Sequence, residues 1–251
     1  MRNYLYSTTS LKVASIVGGA ALLAATVGQA SADTVSFAFA SPGNPLGNSQ
    51  SYTSTFSPGG QTASITATGF DKQSTRYQTN ETALYYNDSS TVETGLGLKD
   101  GPPTHEIGYG QFVQLDLSSL LPMLPSGDNS LVVTIGSVQQ ESGDAFKIYS
   151  SGTAGKLGSS VVASGNWKTS PADGLATVTI STADLTGNFL DVAETGYTGH
   201  LNCDSFSSGS VLLNNLTVNT GSPLPEPASL AMMGAMGLGI LLLPRKKHLR
   251  A

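Results

Sequence analysis

The chain has 251 residues, twelve Lys and Arg against seventeen Asp and Glu, three histidines and one cysteine. An acidic balance repels a phosphate backbone and argues against a nucleic-acid partner. One cysteine excludes an internal disulfide, so an exported body must hold together by its core alone.

Residues 1–32 have the layout of a secretory signal helix. Arg2 and Lys12 supply the positive start, 13–27 is uncharged and apolar, and Ala30-Ser31-Ala32 is a small-x-small site for signal peptidase before Asp33. The body then runs over 33–222. It holds six basic and sixteen acidic residues, ten net negative charges. Its length suffices for a sizeable core.

The body alternates short apolar runs with turn residues, the pattern of strands. Residues 33–40 place Val35, Phe37 and Phe39 on one face. Residues 41–60, with Pro42-Gly43, Asn44-Pro45 and Pro58-Gly59, read as mostly loop. Residues 61–70 set Ile65 and Ala67 opposite Thr66 and Thr68, and 111–117 set Val113, Leu115 and Leu117 opposite Gln114 and Asp116. A helical turn is expected at 118–121, stopped by Pro122 and Pro125. Strands follow at 131–138 and at 144–150, where Phe146 and Ile148 oppose Lys147 and Tyr149. A glycine-rich turn spans 151–158, and further strands lie at 160–164, 175–181, 189–193 and 211–218. Ser181 is placed to cap a single helical turn over 181–185. About ten strands, with no fixed-period repeat, predict an all-β fold: an antiparallel β-sandwich, jelly-roll-like, in two packed sheets.

No catalytic constellation stands out. A G-x-S-x-G elbow is absent, and His200, Cys203 and Asp204 are neighbours in sequence without the spacing of a triad or of a zinc site. Asp71, Asp88, Glu93, Asp100 and Glu106 fall in loop-like stretches and offer ligands for a structural calcium, without an EF-hand pattern. Tyr85, Tyr86, Tyr109, Tyr149, Trp167 and Tyr197 are candidates for stacking on sugar rings. Trp167, in the turn Gly165-Asn166-Trp167-Lys168, and Tyr149 are singled out as possible carbohydrate contacts.

The last segment, 223–251, has three parts. Pro225-Glu226-Pro227 comes first, then 228–243 without a charge, then Arg245, Lys246, Lys247 and Arg250. Sixteen helical residues rise roughly 24 Å, a marginal transmembrane helix against a hydrocarbon core of about 30 Å. The closing cations keep that end cytoplasmic and the body outside the inner membrane. Pro225-Glu226-Pro227, Ala228-Ser229-Leu230, the Gly-containing apolar run and the Arg-Lys-Lys close resemble a PEP-CTERM sorting domain. The resemblance covers about 28 residues. It implies a Gram-negative bacterium, transient residence in the inner membrane, and recognition of Pro225-Glu226-Pro227 by exosortase. A second, shorter resemblance to other exported PEP-CTERM proteins lies at 95–117, where a Gly-Leu-Gly turn precedes Glu106-Ile107 and a strand.

The expected protein is a non-catalytic, exosortase-sorted component of the cell surface or extracellular matrix. The alternative is a carbohydrate-binding module for extracellular polysaccharide, and a hydrolase is a third reading.

Overall fold

The computed structural model describes residues 33–40, 44–57, 60–72, 79–90, 92–101, 105–139, 144–170, 174–195 and 209–221. All belong to the second of two compact units of the chain, Ala32–Ala251. The signal segment with Ala30 and Ala32, and the tail with Pro225, Glu226, Pro227, Arg245, Lys246 and Lys247, lie outside the described residues. Among the described residues no helix is long and apolar enough to cross a membrane.

Fourteen strands follow among the described residues. They are β1 Thr34–Ala38, β2 Ser49–Thr55, β3 Thr62–Lys72, β4 Thr79–Thr82, β5 Leu84–Asp88, β6 Thr94–Leu98, β7 Ile107–Gly108, β8 Gln111–Asp116, β9 Ser130–Gly136, β10 Ala145–Ser151, β11 Ser160–Asn166, β12 Ala176–Ser181, β13 Phe189–Glu194 and β14 Ser210–Asn219. They form two sheets with antiparallel ladders, in a sandwich-like arrangement. The first is ordered β12-β9-β14-β6-β5, with β1 and β7 also on β14. The second is ordered β11-β10-β13-β8-β3-β2, with β4 on β3.

Strand β14 is the spine of the first sheet. It pairs with β9 along one edge, from Leu212↔Gly136 to Asn219↔Ser130. The same residues pair with β1 from Asn215↔Ala38 to Asn219↔Thr34, so β1 must occupy the opposite edge. The period-2 alternation read from sequence delivers Val35, Phe37, Leu131, Val133, Ile135, Leu216 and Val218 inward from this sheet. Ile65, Ala67, Val113, Leu115, Phe146, Ile148, Leu190 and Val192 meet them from the other. Each large side chain buried this way contributes about 1.5–3 kcal/mol before entropy is subtracted.

Three local expectations change. The stretch 41–60 contains β2, whose Ser49, Ser51, Thr53 and Thr55 all point to solvent while Tyr52 alone anchors the middle. One inward aromatic among hydroxyls leaves too little alternation to recognise. The Gly-Leu-Gly turn is instead strand β6. A Cβ at Gly97 would sit 2.1 Å from the His105 carbonyl oxygen, and one at Gly95 2.7 Å from that of Leu213. Those glycines allow the backbone to be approached closely, and they do not turn it. The helical turn near 118–121 is a 3-10 turn at Leu121–Met123 that includes Pro122 in its first positions. The second expected turn is a 3-10 turn at Thr182–Asp184, and Ser181 Oγ accepts from Ala183 N at 3.2 Å.

Candidate functional site

The outer face of the second sheet carries a second, smaller apolar cluster. Phe70 on β3, Phe112 on β8 and Ala193 on β13 are buried there, flanked by Tyr149 of β10 and Leu157. The Phe70 and Phe112 rings stack with centroids 5.0 Å apart and planes 19° apart. These residues point away from the main core, so something must cover them. Part of the cover is the glycine-rich segment 152–158, a strap that leaves β10, reaches over Asp191 and Gln114 and returns to β11, with Leu157 packed on the cluster.

Two buried polar side chains stitch the strap down. Gln114 and Asp191 are register partners on β8 and β13, and Gln114 Nε2 donates to Asp191 Oδ1 at 2.8 Å. Gln114 Oε1 accepts from Gly155 N at 2.8 Å, and Nε2 also reaches the carbonyls of Thr153 and Lys156 at 3.4 Å. Asp191 Oδ2 accepts from Gly158 N at 2.7 Å. Ser151 Oγ donates to Lys156 O at 2.9 Å and accepts from Thr153 N at 3.2 Å. The strap's backbone groups thus find partners that a bare sheet face does not offer. Burial pushes the Asp191 carboxyl up to about 6, against the lowering effect of its bonds from Gln114 and Gly158. Burial also pushes the Tyr149 phenol up.

A groove lies on each side of the strap. The larger, about 460 Å³, is lined by Tyr109, Gln111, Phe112, Tyr149, Leu157 and Glu194 among others. The smaller, about 240 Å³, is lined by Thr66, Thr68, Phe70, Glu81, Gln114 and Asp116 with Ala154, Gly155 and Phe189. Tyr109 is 72% exposed, and its backbone bridges to Glu194 at the end of β13. Gln111 is buried; its Oε1 accepts from Gly108 N at 3.0 Å and its Nε2 donates to Asp100 O at 3.4 Å. Gln111 and Glu194 alternate with the outward Phe112 and Ala193 and are buried on the inner side of their strands, so what the groove offers is aromatic surface, Tyr109 and Tyr149, on which a flat ring can stack.

The sugar-stacking candidates separate in space. Tyr109 and Tyr149 line the larger groove. Trp167 is half-buried against the main core, with the Lys168 ammonium 5.2 Å from its ring centroid, so it does not share Tyr149's cluster. Tyr85 stacks on His105 at 4.0 Å, and the Tyr86 backbone is held by the Asn44 side chain. Tyr197, His200, Cys203 and Asp204 lie outside the described residues.

The calcium candidates are dispersed. Asp100 accepts from Thr82, Glu93 from Ser89 and Gln139, and buried Glu106 from Ser137 at 2.9 Å and from Ser210. Asp71 is in β3 and Asp88 ends β5. Among the described residues no three His, Cys, Asp or Glu side chains are grouped to hold a metal ion.

Phe112, Gln114 and Asp191 are not among the sequence candidates. Phe112 carried a signal: it is a large apolar residue on the wet side of a strand whose dry side is Val113 and Leu115.

No family model matches the chain. No curated protein matches it either. Among solved structures it is similar to a xylan-binding module CBM15, at 12% identity and a TM-score of 0.39, over 63% of this chain and 92% of that one.

Proposed function

We propose that this chain is an exported, non-catalytic glycan-binding protein of the cell surface or extracellular matrix. The observation that carries the reading is the larger groove, where exposed Tyr109 and half-buried Tyr149 flank an apolar lining of Phe112, Leu157 and Ala193. Extracellular polysaccharide is the partner. From β8 onward the chain passes repeatedly between the two sheets, which supports a jelly-roll-like winding of the sandwich. Signal peptidase would release the body at Asp33, and exosortase would act at Pro225-Glu226-Pro227 after the tail has held the body at the inner membrane.

Affinity electrophoresis of the purified chain through gels containing soluble polysaccharides tests the binding. Retardation that Tyr109→Ala weakens by about tenfold, with an unchanged unfolding midpoint, is the expected result. No retardation by any polymer overturns it and leaves a matrix component with a purely structural body. Terminal peptide mapping on protein from the producing cells tests the sorting. The expected protein starts at Asp33 and lacks 228–250; an intact tail found only in inner membrane would sink the exosortase step.

A further inference from the structure

The charge of the body is unevenly placed. It carries six basic residues against sixteen acidic ones, yet residues 145–170 hold three lysines, Lys147, Lys156 and Lys168, and no acid. That stretch is β10, the strap, β11 and the turn that follows. It flanks the larger groove, because β10 pairs with β13, whose Ala193 is in the groove lining.

Register sets two of these cations against the aromatic surface. Lys147 is exposed and is the partner of Ala193 across β10 and β13, so its side chain stands one strand from the lining. Tyr149 follows on the same face of β10, roughly 7 Å away. Lys156 is exposed on the strap and directly precedes Leu157, which lines the groove. The partner of Tyr149 on β11 is Val161, and Val161 and Tyr109 are the large hydrophobic side chains left exposed among the described residues. Phe146 of β10 fills one side of Glu194, so Tyr109 bridges to it from the other. The two tyrosines therefore lie on opposite sides of β13, at the levels of Asp191 and Glu194, with backbones about 14 Å apart. That separation lets them engage different rings of one polymer.

The nearby acids do not face the larger groove. Glu194 is buried on the inner side of β13, and Asp191 is roofed by the strap, accepting from Gln114 and Gly158. Glu81 and Asp116 line the smaller groove instead. A ligand in the larger groove thus meets aromatic rings, with ammonium groups on its β10 side. An amino-sugar polymer would set like charges together there. A neutral polymer would stack on the tyrosines and leave the ammonium groups to water. A uronic-acid polymer would stack and also accept charge-assisted bonds from Lys147 and Lys156, which are about twice as strong as neutral ones. The net negative charge of the body opposes that polymer only at long range, since salt screens beyond about 10 Å.

We propose that the larger groove takes an acidic polysaccharide, a polymer of uronic acids, with its rings on Tyr109 and Tyr149 and its carboxylates on Lys147 and Lys156. This rests on the glycan-binding reading above and narrows it to a ligand class and to one groove.

The test is titration calorimetry of the purified chain with galacturonate and mannuronate oligomers, each as the free acid and as its neutral methyl ester. The acids should bind about tenfold tighter than their esters, and added salt should erase the difference. Lys147→Gln with Lys156→Gln should cost the acids about tenfold and leave the esters unchanged. Lys147→Arg with Lys156→Arg should keep the preference for the acids. Tyr109→Ala should weaken acids and esters alike. Esters that bind as tightly as the acids overturn the ligand class and leave the glycan-binding reading standing. A glutamine pair indistinguishable from the parent overturns the lysine contacts. Failure of every oligomer to bind sinks the glycan-binding reading itself.

Discussion

The sandwich has two outer faces, and they differ in kind. Four adjacent strands of the first sheet, β1, β14, β9 and β12, contain no charged residue. Their outward positions form rows across the register: Thr34, Asn219, Ser130 and Ser181 in one, Ser36, Thr217, Val132 and Thr179 in the next. The side chains are small, and the Ser36 and Thr217 hydroxyls bond each other at 3.0 Å. The second sheet presents the Phe70–Phe112 stack, Tyr149, Asp116, Lys147 and the roofed Asp191. Relief follows from that difference. A face of small hydroxyl residues is satisfied by its own neighbours and by water. A face that carries large apolar side chains must be covered, and a partial cover leaves grooves at its margins.

Four measurements would break or sharpen the contrast. The largest effect is expected at the stack. Phe112→Ala should cost about 3–5 kcal/mol by denaturant unfolding, because it empties the centre of the roofed cluster. A cost below that of an ordinary surface change would mean the strap sits on nothing. Next is Gln114→Ala, expected to cost about 2–3 kcal/mol by removing the partner of Gly155 N and of Asp191 from a buried site. Hydrogen exchange should then show 152–158 opening ahead of the sheets; unchanged protection there would refute the stitching.

The third is a pH profile. A raised carboxyl pKa means that the folded state holds the proton more tightly than the unfolded state. The contribution of Asp191 to stability is therefore full below about pH 4 and is lost as pH rises from 4 through about 6. Over that window the loss amounts to about 2–3 kcal/mol. Asp191→Asn should flatten that segment of the curve, and an identical slope in the variant would show that Asp191 is not its source. The smallest effect belongs to the plain face. Thr179→Lys, on the outward side of β12, should change stability by less than about 0.5 kcal/mol and leave the proposed retardation by polysaccharide unchanged. A large loss of either would show that the uncharged face is engaged in something that its own hydrogen bonds do not account for.

Much of the fold is legible in the sequence. The apolar alternation of 33–40, 111–117, 131–138 and 144–150 places those strands and their inward faces. It also puts Lys147 and Tyr149 on the wet side. The strands that escape are those without alternation: β2 is nearly all hydroxyl, and β6 is buried from Gly95 to Leu98. The site is harder to see because it depends on strand order. Tyr109 and Phe112 come from one stretch, Tyr149 from a second and Ala193 from a third, and they meet only because β13 lies between β8 and β10. The glycines of 151–158 mark a turn, but nothing in their spacing marks a roof. That role depends on Gln114 and Asp191, which are 77 positions apart.

The pairing of β14 with β1 and β9 has a mechanical consequence. The described chain ends at Gly221, just past β14, beside the start of β1, where Thr220 and Asp33 bond each other's backbones. A body hung by the segment that follows would take its load along the axis of β14. That strand is flanked on both edges, by seven register pairs with β9 and five with β1. Tension along it loads both ladders in shear, so many hydrogen bonds resist together and none can be peeled first. While tethered at a surface in flow, the sandwich would behave as a stiff link. The strap and its grooves sit on the other sheet, away from the line of force.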